Sequence, residues 1–514
     1  MAHEGEDGRA RCPRLLLGAI LLLGALLRVL ALGAESLWSD EGFTWWWAQQ
    51  PLVELWGANG RLETNPPLYY TLQHLWLVFG DSETALRSLP ALFGIATIPL
   101  AYAAGRVVGG RRAGLLAALL LATSAVHVYY SQEARAYTLL TAAATLAVLG
   151  FLRFLATNDP PPATGGRQGL AAYALGTTAA LYAHNTALFL PLIANLAALL
   201  WWVARARRER RFLLAWLLAN LGPFLLWLGW LPVVLTQAGG APTIAWLQQP
   251  ALPSAVREAL RLYSFRYLAA PWLDLAAPVA LLAGWGVLAA PPRRRPLALV
   301  LLAFVAGVPA LTYLAGLLGR PLWVERTLLW PLPLGLALLA TGLLAVRPRG
   351  LGLVLLALLA VIQAGNLRGL HALPQKPPMR ALAADLARDW RAGDGLLLLP
   401  QGIQFSAAYY LRRHGRMLEA VGLGEDPERL APSPLVLAHP LRPPVGLPVV
   451  HASLATLDER LQRWERVWLL ARRRDRLDPD GRVMAKLARF GPVARVQHYP
   501  PYLELILIDR ARGP

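Results

Sequence analysis

Apolar runs close to the length of a bilayer crossing recur between residues 15 and 366, and a chain with that pattern has few folds open to it. The first, residues 15–34, reads LLLGAILLLGALLRVLALGA and is interrupted only by Arg28. A helix needs about 20 mostly apolar residues to cross a membrane. A run this near the start could be a cleaved signal peptide, but many similar runs follow it, so it is read as an uncleaved first span. The others lie near 86–105, 113–129, 137–155, 169–184, 186–204, 212–235, 276–291, 297–318, 328–346 and 351–366. The expected fold class is a polytopic α-helical membrane protein of about eleven spans. A hydrophobic share of 56% over 514 residues agrees with that. Cys12 is the only cysteine, so no intramolecular disulfide staples the fold.

The net charge of +19 raises the question of nucleic acid. Its placement answers against it: arginines flank the apolar runs instead of interleaving with aromatic residues on a polar face. Lys376 and Lys486 are the only lysines. One set of connections holds Arg9, Arg11 and Arg14, then Arg106, Arg111 and Arg112, Arg153 and Arg167, RARRERR at 205–211, Arg293 to Arg295, and Arg347 with Arg349. In the alternate set acids outnumber basic residues, among them Asp40, Glu41, Glu63, Asp81, Glu133, Asp274 and Glu325. Positively charged loops remain in the cytoplasm. The N-terminus is therefore expected inside, and an odd number of spans puts residues 367–514 outside. The expected parts are a cytoplasmic tail 1–14, a membrane domain 15–366 with a first external loop 35–85, and an external domain 367–514.

That last part changes character. GDGLLLLP (393–400), PLVLAHP (434–440), RVWLLA (466–471) and YLELILID (502–509) read as short buried strands. QFSAAYYLRRHG (404–415), LATLDERLQRW (454–464) and RVMAKLARFG (482–491) carry helical spacing with glycine stops. Strands alternating with helices indicate a small α/β domain. Neither a GxGxxG nor a P-loop is present in it.

The chemistry is expected on the external side, where the acids and irregular loops are. LWSDEGFTWWWA (37–48) sets Asp40 beside Glu41 and follows them with Trp45, Trp46 and Trp47. The tryptophans fit an interfacial belt, half apolar and half wet. A carboxylate at membrane depth costs on the order of 3 kcal/mol, so it normally faces a cavity or a partner. NPPLYYTLQHLW (65–76) reads as an extended entry followed by an aromatic run along the membrane surface. HVYYSQEARAYTLL (127–140) brings Glu133 and Arg135 to a tight external turn, HNT (184–186) adds His184, and WVERTLLWPLP (323–333) adds Glu325 and Arg326. Acids and arginines converging at outer helix ends suit an anionic substrate embedded in lipid. A lipid-linked phosphate fits, since arginine grips phosphate with a bidentate fork while a polyprenyl tail lies between helices.

SDEGFTWWWA, NPPLYY, YYSQEARAY and ERTLLWPLP together resemble the GT-C glycosyltransferases of the glycosyltransferase family 39 type, which include protein O-mannosyltransferases and lipid A aminoarabinose transferases. The resemblance covers about residues 14–345. It implies a polyprenyl-phosphate-linked sugar donor, an external active site and an acidic base in the first external loop, a role that falls on Asp40 with Glu41 beside it. It differs from the common pattern at Asn65, where relatives often have histidine, and at Thr327, where tyrosine often follows the arginine. Asn65, Tyr69, Tyr130, Glu133, Arg135 and Arg326 are the expected substrate-binding residues. No cofactor is assigned; a divalent metal stays open, with Glu41 and Glu133 as candidate ligands.

The expected function is transfer of a sugar from a polyprenyl-phosphate donor to a hydroxyl on a lipid, polysaccharide or protein acceptor, in the plasma (inner) membrane. Membrane lipids are partners; nucleic acid is not. The alternative is a transporter or lipid flippase, which would share the spans and buried charges. Such proteins often carry internal repeats and broken helices around a midplane site. No repeat between the halves is found here.

Overall fold

The computed structural model describes residues 3–57, 63, 65–157, 164–204, 209–238, 247–264, 276–319, 321–415, 420–424, 426–427 and 449–512. They form two compact units. The first comprises residues 1–30, 63–69 and 87–373, and the second residues 31–62, 70–86 and 374–514.

The first unit is helical, and each of the eleven apolar runs falls on a helix. In order these are His3–Val29, Glu83–Gly109, Arg111–Thr123 with Ala125–Ser131, Tyr137–Thr157, Thr164–Ala183, Phe189–Ala204, Arg210–Leu228, Ala276–Ala289, Arg295–Leu318, Leu332–Ala345 and Arg349–Ala372. Among the described residues six helices are long and apolar enough to cross a membrane, and a seventh if the bent pair at 111–131 is one span. Tyr137–Thr157 is the most enclosed, whereas Arg210–Leu228 turns most of its leucines outwards and Arg349–Ala372 is also little buried. An apolar outer face is what a lipid-facing helix requires. Tyr137–Thr157 and Thr164–Ala183 touch along small residues. A Cβ on Gly150 would come within 2.5 Å of the Gly169 carbonyl oxygen, so only glycine permits that approach.

The helices Arg111–Thr123 and Ala125–Ser131 meet at 59°. A buried charge lies beside the bend. Arg28 is wholly buried and donates from Nη1 to the carbonyls of Gly24 (2.9 Å) and Ala122 (3.1 Å). From Nη2 it reaches the Leu121 carbonyl at 3.0 Å and His127 Nδ1 at 2.8 Å. Leu121 and Ala122 lie in the last turn of Arg111–Thr123, where carbonyls lack helical partners and the helix dipole favours a cation. Ser124 then accepts from the His127 N–H and starts the second half.

The second unit contains a six-stranded sheet: β1 Asp394–Leu399, β2 Ala420–Leu423, β3 Val449–Ala452, β4 Arg466–Arg472, β5 Val493–Tyr499 and β6 Leu503–Asp509. The order is β3-β2-β1-β4-β6-β5. β1 pairs in parallel with β2 and β4, β2 in parallel with β3, and β6 is antiparallel to β4 and β5. Every residue of β1 is buried, as the LLLL run requires of a central parallel strand. β1, β4 and β6 match the expected strands, and the three expected tail helices appear as Gln404–Leu411, Leu457–Leu461 and Arg482–Phe490. The expected strand at 434–440 lies outside the described residues. β2, β3 and β5 were not foreseen.

Trp45, Trp46 and Trp47 are not an interfacial belt. They are buried, and Trp46 packs 4.8 Å from the Phe405 ring. The helix that carries them, Ser39–Ala48, lies so close to Gln404–Leu411 that a Cβ on Gly42 would fall within 2.8 Å of the Phe405 backbone. A buried ion pair fixes its start: Lys376 Nζ stands 3.0 Å from Glu41 Oε2, with both side chains nearly inaccessible. Removing one member of such a pair costs about 3–5 kcal/mol, whereas replacing both costs far less. Lys376→Met is therefore expected to lower the unfolding midpoint of the detergent-purified protein sharply, and Glu41→Gln with Lys376→Met to recover much of the loss. Equal midpoints for the single and double variants would contradict the pairing.

Candidate active site

In the second unit, Asp40 occupies the first turn of Ser39–Ala48, where the helix dipole favours a carboxylate, and it is half-buried. Its neighbour Glu41 faces the other way, into the pair with Lys376. The two adjacent acids thus have different surroundings: one anchors the helix and the other is left partly exposed. Around them the loop is tied to the tail. Glu35 Oε1 accepts from the backbone N–H groups of Gln375 (2.5 Å) and Lys376 (3.2 Å). Glu83 accepts from Tyr410 at 3.1 Å, from Tyr409 at 3.2 Å and from Arg380 at 2.8 Å, with Arg413 3.3 Å away. Burial and then the Glu83 carboxylate push the Tyr409 phenol up, so it stays protonated as a donor.

In the first unit, Arg135 Nη2 lies 3.6 Å from Glu63 Oε1. The same oxygen accepts from Asn65 Nδ2 at 2.5 Å, and Asn65 N–H reaches it at 3.2 Å. Glu63 therefore joins two expected substrate-binding residues. Glu133 and Arg135 are both buried on a tight turn in which the Arg135 N–H donates to the Glu133 carbonyl at 2.6 Å. Gln132 fastens that turn to the first helix, donating to the carbonyls of Leu27, Arg28 and Leu30 at 3.3, 3.2 and 2.8 Å. Tyr130 is buried edge-on to Tyr137, and Tyr69 is buried in Leu68–Trp76. Arg326 sits half-buried in the short turn Glu325–Leu328, and both it and Arg135 lie within electrostatic reach of His184. His184 itself accepts at Nδ1 from Thr186 N–H (3.1 Å) and caps the turn Asn185–Leu188, a structural task. Two arginines thus gather in one region of this unit.

Between the helices Leu252–Ser264, Ala276–Ala289, Arg295–Leu318 and Leu332–Ala345 lies an apolar cavity of about 510 Å³. Val256, Leu260, Ala283, Ala306, Leu314 and Leu339 line it, and Trp323, three residues before Arg326, closes one side. Trp323 is held by a 2.7 Å hydrogen bond to Glu258. Among the described residues no group of three or more His, Cys, Asp or Glu side chains could hold a metal ion, and Glu41, one candidate ligand, is engaged by Lys376.

Glu63 and Lys376 were not singled out in the sequence. Glu63 stood as one acid among many in its loop. Lys376 carried a usable signal, being one of two lysines in a chain whose other cations are arginine.

Residues 64–230 match the family model described as dolichyl-phosphate-mannose-protein mannosyltransferase. No curated protein matches the sequence. Among solved structures, ArnT from Cupriavidus metallidurans in the apo state superposes with a TM-score of 0.61 at 15% identity, covering 100% of both chains. The same protein bound to undecaprenyl phosphate gives 0.59 at 15% identity, over 97% of this chain and 98% of that one. The Archaeoglobus fulgidus oligosaccharyltransferase tethered with an acceptor peptide gives 0.54 at 12% identity, over 78% and 63%. Residues 64–230 thus resemble that mannosyltransferase family, and the chain as a whole shares the fold of ArnT.

Proposed function

We propose that the protein moves a sugar from a polyprenyl-phosphate donor to an acceptor hydroxyl on the external face of the plasma membrane. The N-terminus is then cytoplasmic, the chain crosses eleven times, and residues 367–514 are external. The observation that carries the reading is the apolar cavity beside the Trp323–Arg326 turn. A lipid-linked phosphate needs an apolar channel for its tail and cations for its head. The cavity supplies the first, while Arg326 and Arg135 supply the second. The matched family model names a dolichyl-phosphate donor, and one solved ArnT structure holds undecaprenyl phosphate, both polyprenyl phosphates.

In the reaction, the acceptor oxygen bonds to the anomeric carbon as the bond from that carbon to the donor phosphate oxygen breaks. Asp40 takes the hydroxyl proton. The bonding pair leaves with the polyprenyl phosphate, and Arg135 and Arg326 stabilise the charge that grows there. Glu63 holds Arg135 and Asn65 in place, Tyr69 and Tyr130 wall the donor, and Glu133 orients the turn. Glu41 holds the helix that carries Asp40.

Purified Asp40→Asn is expected to release sugar from a radiolabelled polyprenyl-phosphate-sugar panel about 10²–10⁴-fold more slowly, with an unchanged unfolding midpoint. Wild-type turnover in that variant would end the base assignment. Glu63→Gln weakens the anchor on Arg135 and should raise the donor KM about 10-fold, the value of one charge-assisted contact. Ala306→Trp fills the cavity, so turnover of full-length donors should fall while donors truncated to one isoprene unit are handled as before. An equal effect on both would show that the cavity does not take the tail.

A further inference from the structure

The second unit has a polar cleft of about 890 Å³ between the end of β4 and the β5–β6 turn, bordered by Arg473, Arg474, His498, Tyr502 and Glu504. Most of its charges are already matched. Glu504 takes Arg474 at 2.6 Å and faces His498 at 3.3 Å. Asp478 accepts from the N–H groups of Val483 (3.0 Å) and Met484 (3.3 Å) at the start of Arg482–Phe490.

Arg473 differs. It is exposed, its guanidinium lies 4.9 Å over the Tyr502 ring, and among the described residues no carboxylate ion-pairs with it. Its backbone is left-handed, with φ 49°, and its N–H is held by the Tyr502 carbonyl at 2.9 Å. The left-handed region disfavours arginine, whereas glycine would sit there almost without strain. A strained position occupied by a charged side chain points to function. The next arginine back, Arg472, reaches 3.3 Å from Nη1 to the hydroxyl of Ser39, the residue that precedes Asp40. Arg472 does not border the cleft, but through it the strand end that carries Arg473 meets the helix of Asp40.

We propose that this cleft is the acceptor site and takes an acceptor bearing an oxyanion, a phosphate or a carboxylate, held by Arg473 while the acceptor hydroxyl reaches Asp40. The assignment rests on Asp40 being the base. Arginine's planar fork matches both oxyanions bidentately. In the proposed reaction the donor phosphate is met by Arg135 and Arg326, so the two substrates meet different cations.

The test is calorimetric titration of the detergent-purified full chain with glucose 1-phosphate, glucuronate and glucose. The two anions are expected to bind at least 10-fold more tightly than glucose, since each gains a charge-assisted contact. Arg473→Asn removes the charge at a residue type that tolerates the left-handed backbone, and should weaken the anions about 10-fold; Arg473→Lys should restore much of the affinity. A preference for one anion over the other names the acceptor's group. Anion binding by Arg473→Asn equal to wild type overturns the proposal. So does an equal loss of undecaprenyl phosphate binding in that variant, which would give the cleft to the donor. Asp40→Asn should still bind the anions. Transfer by that variant at the wild-type rate would remove the base alone, and the cleft is judged on the Arg473 variants.

Discussion

One buried ion pair organises the second unit. Glu41 and Lys376 lie far apart in the sequence, and each alone would be a charge stranded away from water. Once they meet, the helix Ser39–Ala48 cannot rotate without breaking the pair, and its three tryptophans are committed to the interior. Glu83 adds a second tie by gathering Tyr409, Tyr410, Arg380 and Arg413 around a single carboxylate. Asp40 rides on this assembly. Its position is set by its neighbours' bonds, as the role of general base proposed for it would require.

The first unit uses charge more sparingly. Its helices associate through glycine contacts and apolar packing, and its polar groups concentrate at the ends. The Glu63, Asn65 and Arg135 cluster sits beside a turn that Gln132 fastens to three carbonyls of the first helix. A guanidinium fixed on both sides loses little freedom when it meets a phosphate, so more of the contact is left to favour binding.

Much of this was legible in the residues. Apolar length located the long helices of the first unit but not Leu252–Ser264, and the leucine runs of β1 and β6 announced their strands. β5 was hidden because it is an exposed edge strand whose residues alternate weakly, and β2 is only four residues long. Trp45 to Trp47 misled for a physical reason: indole is equally at home in an interface and in an aromatic core, and only the distant Phe405 and Tyr409 decide between them. The partner of Glu41 was equally out of reach, because an ion pair between residues 41 and 376 leaves no local periodicity. Asp40, Arg135 and Arg326 drew attention as candidates because rare charges at helix ends stand out against an apolar background.

Arg28 has a consequence for how the chain is made. Its hydrogen-bond acceptors at Leu121, Ala122 and His127 are encoded 93, 94 and 99 residues downstream. Until that segment emerges from the ribosome, the first helix holds a guanidinium with only its own Gly24 carbonyl to satisfy it. The helix then has to wait in a hydrated or tilted state, and that segment completes it on arrival. The order of synthesis bears on this residue: its helix finishes settling only once residues 121–127 have been made.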